Sequence, residues 1–448
     1  MSNLSDLLPA GASGKTIEAV ATAIISSKAP VILETAGTVT QVGETTVSPS
    51  MPLGSTSTWE TQAPQFIMMA ADSLNSNRWV IVWRDDVGTP YVYVRIITRS
   101  GTTLTMSPIS TVYANGGIGG TGVVWDKSTA DRFLVIYNNN TGSYGDASAV
   151  VCNVTGSVGS ESFTYGTPLN AFTTDALTEM TFAGSVVIDL GSGNFFVIWS
   201  NEANDYPTGR VLQISSTDTV TAGGSDTVID SNTLDADCCN AVVNSTDGST
   251  ILVGTMRPTP YISDVGISGT TITTNSTAQI AAHSPWDSSA IWILDIDQER
   301  FVTAFEDANN GYVYCYVGTL SGGSFSFGSR YAMNNFNTRT YCISNNTTFP
   351  DTFAGVSCAF NGKPYGVAGT VTGTTISFNT PTVIDSTNDA DQFLALAQQS
   401  DNGGHFMTAY APSPLLAGFA TIGKTGGTLS NLTATNFVGI ADAAISSA

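Results

Sequence analysis

The stretch RWVIVW, Arg78 to Trp83, places apolar residues on both sides of an extended chain: Trp79, Ile81 and Trp83 on one, Val80 and Val82 on the other. A strand with one wet face alternates apolar with polar residues, so this pattern demands cover on both faces. It returns as RFLVIY at Arg132, NFFVIW at Asn194, STILVG at Ser249, RFVTAF at Arg300, TFAGVS at Thr352 and HFMTAY at His405. The aligned positions Trp79, Phe133, Phe195, Ile251, Phe301, Phe353 and Phe406 stand between 50 and 62 residues apart. Seven copies at a near-constant period predict a repeat architecture.

Each copy has the same neighbours. An apolar strand and a polar turn precede it (QFIMMAADSLNSN, GVVWDKSTAD, SVVIDLGSG), and a third strand follows it (YVYVRIIT, AVVCNVT, RVLQISS, YVYCYVG). A glycine turn then leads to a Thr- and Ser-rich strand, most regular in SGTTLTMSPIS, SGTTITTNSTA and TGTTISFNTPT, where Gly101, Gly269 and Gly373 mark hairpins. Four antiparallel strands running from apolar to polar describe one propeller blade, and blades stacked face to face cover both sides of the second strand. The expected fold is all-β, a seven-bladed β-propeller over residues 44–427, between an N-terminal segment, 1–43, and a C-terminal segment, 428–448. An extra outer-strand pattern, ETTVSPSMP at Glu44 to Pro52, is expected to close the ring as the last strand of the last blade, leaving GGTLSNLTATN at Gly426 to Asn436 surplus.

Charge narrows the function classes. Acidic residues outnumber basic ones 36 to 15, a formal charge of −21. Such a field repels phosphate backbones and anionic lipid, so neither nucleic-acid binding nor membrane insertion is expected. No apolar run is long enough to span a bilayer, and the first residues lack a signal-peptide pattern. The six cysteines show no CxxC spacing and sit in apolar strand patterns, as in YVYCYVG, so buried free thiols are expected, with no metal and no cofactor.

Loops from the second to the third strand, and those between blades, emerge on one face of a propeller. The first set reads WRDDVGTPY, YNNNTGSY, WSNEANDY, MRPTPY and FEDANNGY, each ending in tyrosine: Tyr91, Tyr144, Tyr206, Tyr261 and Tyr312. The second set holds Trp59 in STSTWETQ, His283 and Trp286 in AHSPWDSS, and Phe336 and Arg339 in MNNFNTRT. Aromatic rings stack on sugar faces while amides and carboxylates take hydroxyls, so Trp59, Trp286, Tyr91, Tyr144, Tyr206, Tyr312 and Arg339 are the candidate ligand-binding residues. Tyrosine repeated at one strand position also fits blade packing. The pairs Asp85/Asp86 and Glu306/Asp307 are the only arrangement reminiscent of a glycosidase, but acids and Asn recur in the equivalent loops, which fits turn chemistry. No catalytic residue is assigned and no enzymatic activity is expected.

Both ends, with SDLLPAGASGK near the start and TATNFVGIADAAISSA at the finish, resemble the termini of structural, tail fibre-like proteins of marine tailed bacteriophages. The resemblance implies a virion component assembled in the host cytoplasm and exposed outside. It would be multicopy or homo-oligomeric, joined to other virion proteins through residues 1–43 and 428–448, with a propeller face that contacts a host surface glycan or protein. A head decoration protein and a carbohydrate-active enzyme are the alternatives. Neither tail can bury a core alone, so each is expected to order against a partner.

Overall fold

In a computed structural model of the chain, the residues described are 30–33, 39–41, 44–61, 64–85, 91–114, 121–139, 146–173, 187–201, 204–234, 239–244, 250–257, 259–281, 291–297, 300–346, 349–388, 393–399, 401, 404–411, 417–430 and 437–440. Every regular element among them is a strand. Contacts divide the chain into two compact units, Ser48–Gly426 and the paired ends Met1–Val47 with Gly427–Ala448.

The larger unit is a seven-bladed propeller. The first blade runs outward through Pro64–Ala71, Arg78–Asp85, Val92–Ser100 and Thr103–Met106. The second uses Thr121–Trp125, Arg132–Asn139, Asp146–Thr155 and Ser162–Tyr165; the third, Val187–Gly191, Asn194–Asn201, Tyr206–Ile214 and Val220–Val228. The fourth is Cys239–Val243, Thr250–Met256, Pro260–Ser268 and Thr271–Gln279; the fifth, Trp292–Asp295, Arg300–Asp307, Tyr312–Ser321 and Ser324–Ala332. The sixth holds Thr338–Asn346, Phe349–Ala359, Pro364–Thr372 and Thr375–Phe378. The seventh takes Phe393–Gln398, His405–Ala411 and Gly418–Lys424 from one end of the ring and Ser57–Glu60 from the other.

The doubly apolar second strands are explained by the packing. Trp79, Ile81 and Trp83 lie in a core shared with Met407 and Ala409 of the seventh blade. Val80 and Val82 lie in a core shared with Val123, Phe133 and Val135 of the second. All five residues from Trp79 to Trp83 are fully buried. In three blades the repeated phenylalanine faces a glycine on the third strand: Phe301 pairs with Gly318, Phe353 with Gly369 and Phe406 with Gly423. A Cβ on those glycines would stand 2.1 to 2.3 Å from the ring, so only glycine lets the ring lie flat on its neighbour. The hairpin glycines Gly101, Gly269 and Gly373 adopt φ of 61°, 61° and 59°, the left-handed conformation that the tight turn requires. The five described cysteines, Cys152, Cys239, Cys315, Cys342 and Cys358, are buried.

Ring closure corrects one expectation. An N-terminal strand does complete the last blade, but it is Ser57–Glu60, paired with Gly418–Lys424. Ser50 exchanges two backbone hydrogen bonds of 3.0 Å with Lys424, and Leu53 donates to Ile422 at 2.8 Å, which carries the pairing further along the same strand. Glu44–Val47 pairs instead with Gly427–Ser430 in the terminal unit, so neither segment is surplus. In that unit Pro30–Leu33 forms a hairpin with Val39–Gln41 and also pairs with Phe437–Ile440. The two ends therefore order against each other.

Candidate functional site

The upper face of the ring carries the second-to-third-strand loops and the connections between blades. It is most fully described where the fifth blade meets the sixth. There the fifth-blade loop Asp307 to Tyr312 is held by its own side chains. Asp307 accepts the backbone N–H of Asn309 at 3.0 Å and its amide at 2.7 Å, and Asn310 accepts the N–H of Tyr312 at 2.9 Å. Asn310 also donates to the Tyr314 hydroxyl at 3.0 Å. The Arg330 guanidinium lies 4.5 Å over the Tyr314 ring and binds Asp307 at 3.0 Å.

The connection into the sixth blade locks onto this loop. Thr338 N–H donates to the Gly311 carbonyl at 2.9 Å, and Gly311 stands so close to Asn337 that a Cβ would fall 2.1 Å from its oxygen. Asn337 in turn accepts the Phe360 N–H at 3.0 Å, drawing in the sixth-blade turn from Ala359 to Tyr365. On this corner Phe336 packs against Tyr365 with ring centres 4.7 Å apart, and Arg339 lies 5.0 Å over the ring of Phe360. Phe360 is 51% exposed, an unusual position for a phenylalanine. The corner thus offers an open aromatic face, half-buried tyrosines and exposed guanidinium groups on a framework of loop hydrogen bonds.

The candidate residues separate on this geometry. Trp59 is not in a loop: it lies in the closing strand, fully buried, its indole N–H donating to the Phe419 carbonyl at 2.9 Å and its ring edge-on to Trp83 at 4.9 Å. It is a core residue, out of reach of any ligand. Tyr91, Tyr206 and Tyr312 are half-buried at the upper rim, each with its backbone N–H held by an Asp or Asn of its own loop: Asp85 at 2.9 Å, Asn204 at 3.0 Å and Asn310 at 2.9 Å. Arg339 is exposed and joins Tyr312 at the fifth-to-sixth corner. Trp286, Tyr144, His283 and Asp86 lie outside the described residues. Sequence reasoning missed Phe360, Lys363 and Tyr365, although AFNGKPY ends in tyrosine like the other loops and supplied the signal.

Glu306 and Asp307 do not form a working pair, because consecutive strand residues point to opposite faces of a sheet. Glu306 is 5% exposed and its backbone N–H donates to the Tyr341 hydroxyl of the sixth blade at 3.2 Å. Asp307 serves the loop and Arg330. Burial pushes the Glu306 carboxyl up to about 8. A carboxyl with a folded value above its unfolded one favours the folded state when protonated. Its contribution is therefore complete below about 4.5 and is lost as pH rises through about 8. Glu306→Gln is expected to flatten that slope, with a gain on the order of 3 kcal/mol over wild type at pH 8.5 relative to pH 5, read from urea midpoints at the two pH values. Equal slopes in the two proteins would refute it.

A cavity of about 570 Å³ lies at the opposite, lower end of the ring, walled by inner-strand residues of six blades such as Ala71, Val124, Ile188 and Val242. Two of its polar side chains hold each other: Lys127 donates its N–H to the Asp189 carboxylate at 2.6 Å and its ammonium to the Asp189 carbonyl at 3.0 Å. Among the described residues no group of three His, Cys, Asp or Glu side chains is placed to hold a metal ion.

No known protein family matches the chain, and no curated protein matches it in sequence. Solved structures do. BP39L lectin from Burkholderia pseudomallei superposes with a TM-score of 0.52 at 12% identity, over 83% of this chain and 99% of that one. Sqt1 from Chaetomium thermophilum gives 0.51 at 10%, over 83% and 97%. The periplasmic gluconolactonase PpgL of Pseudomonas aeruginosa gives 0.50 at 10%, over 72% and 86%. At such identities the likeness shows the propeller fold alone.

Proposed function

We propose that this protein is a recognition component of a bacteriophage particle, a tail-fibre or spike protein whose upper propeller face docks on carbohydrate of the host surface. The observation that carries the recognition half is the corner where the fifth and sixth blades meet, with its open Phe360 face, its rim tyrosines and its polar loops. Sugars are bound by such a combination: C–H faces stack on rings while hydroxyls meet amides and charged forks. A lectin among proteins of the same fold supports the reading. The virion half rests on the resemblance of the two chain ends to phage structural proteins, and their pairing into one unit suits an attachment point. No catalytic role is assigned.

Fluorescently labelled protein is expected to coat host cells, to lose most of that binding after periodate oxidation of cell-surface glycans, and to lose it again in Phe360→Ala. Antibody to the chain is expected to label purified particles. Binding that survives periodate would overturn the sugar reading, and unlabelled particles would overturn the virion reading.

A further inference from the structure

A cleft of about 510 Å³ opens on the lower face between the first and second blades. Its inner end is closed by the ion pair from Arg78 Nη1 to Asp131 at 2.6 Å. At the outer end the second-blade turn that holds Gly159 comes so near the first blade that a Cβ there would stand 2.9 Å from the Thr105 methyl. Thr98 of the first blade and Val154 of the second line the cleft, with Val158, 60% exposed, beside them. Asn75, Ser76 and Glu161 also stand in its wall. Glu161 is only 5% exposed and accepts the Gly159 N–H through Oε2 at 2.8 Å. The Thr98 hydroxyl is buried with no hydrogen-bond partner, so the wall carries an unmet polar group.

The neighbouring blades show why this cleft is open. Arg78 pairs in register with Thr98 in the first blade, as Arg132 does with Asn153 in the second. Between the second and third blades Arg132 and Asn153 both reach over to Asp218, the guanidinium to Oδ1 at 3.1 Å and the carboxamide to Oδ2 at 3.0 Å. Gly166 packs on the same turn, where a Cβ would fall 2.0 Å from the Asp218 carbonyl oxygen, so that space is filled. Between the first and second blades Arg78 turns to Asp131 instead, and threonine lacks the reach of asparagine. Asp131 Oδ1 takes the arginine, while Oδ2 has no hydrogen bond among the described residues and the carboxylate is 51% exposed. The carboxamide N–H that Asn153 brings to a carboxylate in one cleft is thus missing from the other.

We infer that this cleft binds an N-acetylated amino sugar, whose acetamido group supplies the amide that Asn153 supplies next door. The amide N–H donates to Asp131 Oδ2, and the acetyl methyl rests on Val154 and Val158, apolar surface that a sugar hydroxyl cannot cover as well. A χ1 step of about 120° turns the Thr98 hydroxyl to the amide oxygen. Ring hydroxyls meet Asn75, Ser76 and the remaining acceptor capacity of Glu161. The site lies on the face opposite the fifth-to-sixth-blade corner and stands independently of sugar binding there.

The test is a titration of the full chain, followed by saturation-transfer NMR, with methyl glycosides of N-acetylglucosamine and N-acetylgalactosamine beside those of glucose and galactose. At least one acetamido sugar is expected to bind with a dissociation constant on the order of 1 mM, and its parent hexose at least about tenfold more weakly. Thr98→Asn puts a carboxamide at the position Asn153 holds in the next cleft; it should abolish binding with a thermal unfolding midpoint at or above that of wild type. Val158→Ser, at an exposed position, should weaken the acetamido sugar about threefold. Phe360→Ala should change nothing. Binding of neither acetamido sugar, hexoses bound as tightly as their acetamido counterparts, or binding that survives in folded Thr98→Asn would overturn the inference. Loss in Phe360→Ala with binding kept in Thr98→Asn would assign the sugar to the upper corner instead. Should Thr98→Asn fail to fold, unaltered binding in Val158→Ser would overturn the inference in its place.

Discussion

Trp59→Ala is expected to lower the stability of the propeller by about 3–5 kcal/mol, the range for deleting a large buried aromatic. The indole is fully buried between the closing strand and the seventh blade, edge-on to Trp83 in the first. It is also the largest side chain of a strand only four residues long. Its other partner is Gly418, where a Cβ would lie 2.4 Å from the indole, so the ring occupies space that the opposite strand leaves open. Alanine leaves a cavity, strands the Phe419 carbonyl, and weakens the one blade whose strands come from both ends of the ring. Gly418→Val tests the same contact from the other side and should destabilise by displacing the indole. Urea denaturation of both variants reads the effect. A Trp59→Ala midpoint equal to wild type would mean that the backbone pairing of Ser50, Leu53 and Ser57–Glu60 closes the ring without it.

That closing strand also marks where the sequence stopped being legible. The seven second strands announced themselves because stacked blades force apolar residues onto both faces, a demand visible in Trp79 to Trp83 without any partner in view. STWE carries no such signal: four residues in a Ser- and Thr-rich run give period-2 patterning nothing to act on. ETTVSP, with the better strand pattern, looked like the closing strand and pairs with Gly427–Ser430 instead. The candidate site divides along the same line. Tyrosine at the start of the third strand was readable blade by blade, because register repeats with the fold. The convergence of Gly311, Asn337 and Phe360 was not, since it depends on where two loops end up after the blades have packed. Trp59 shows the converse error: an aromatic in a polar stretch reads as a loop side chain until its strand partner is known.

Asp126→Ala should be nearly as damaging, about 3 kcal/mol, although its position reads as an ordinary polar turn. On the lower face an acid after the first strand meets an arginine at the start of the second, Asp72 with Arg78, Asp126 with Arg132 and Asp297 with Arg300, and in the seventh blade Asp401 meets the His405 ring in the same place. Several of these cations also reach the next blade, Arg78 to Asp131 at 2.6 Å, Arg132 to Asp218 at 3.1 Å and Arg300 to Asp351 at 2.6 Å. Arg99 reaches across the seam to Asp401 at 3.3 Å. Burial decides which members matter. The Asp126 side chain is 0% exposed, accepts Ser128 N–H at 2.7 Å and Arg132 Nε at 2.7 Å, and balances a guanidinium only 12% exposed. Removing it leaves a turn donor and a nearly buried cation short of a partner. Asp131, 51% exposed, can be replaced by alanine for about 1 kcal/mol, the strain of alanine at its φ of 60°, since water takes over the role of its carboxylate. Urea midpoints should therefore rank Asp126→Ala well below Asp131→Ala. Adding Arg132→Leu to Asp126→Ala should recover part of the loss, because it removes a nearly buried cation left with only the partly exposed Asp218 to balance it. If Asp126→Ala and Asp131→Ala prove equally mild, the clasp is a surface decoration and the blades are held in place by their apolar faces alone.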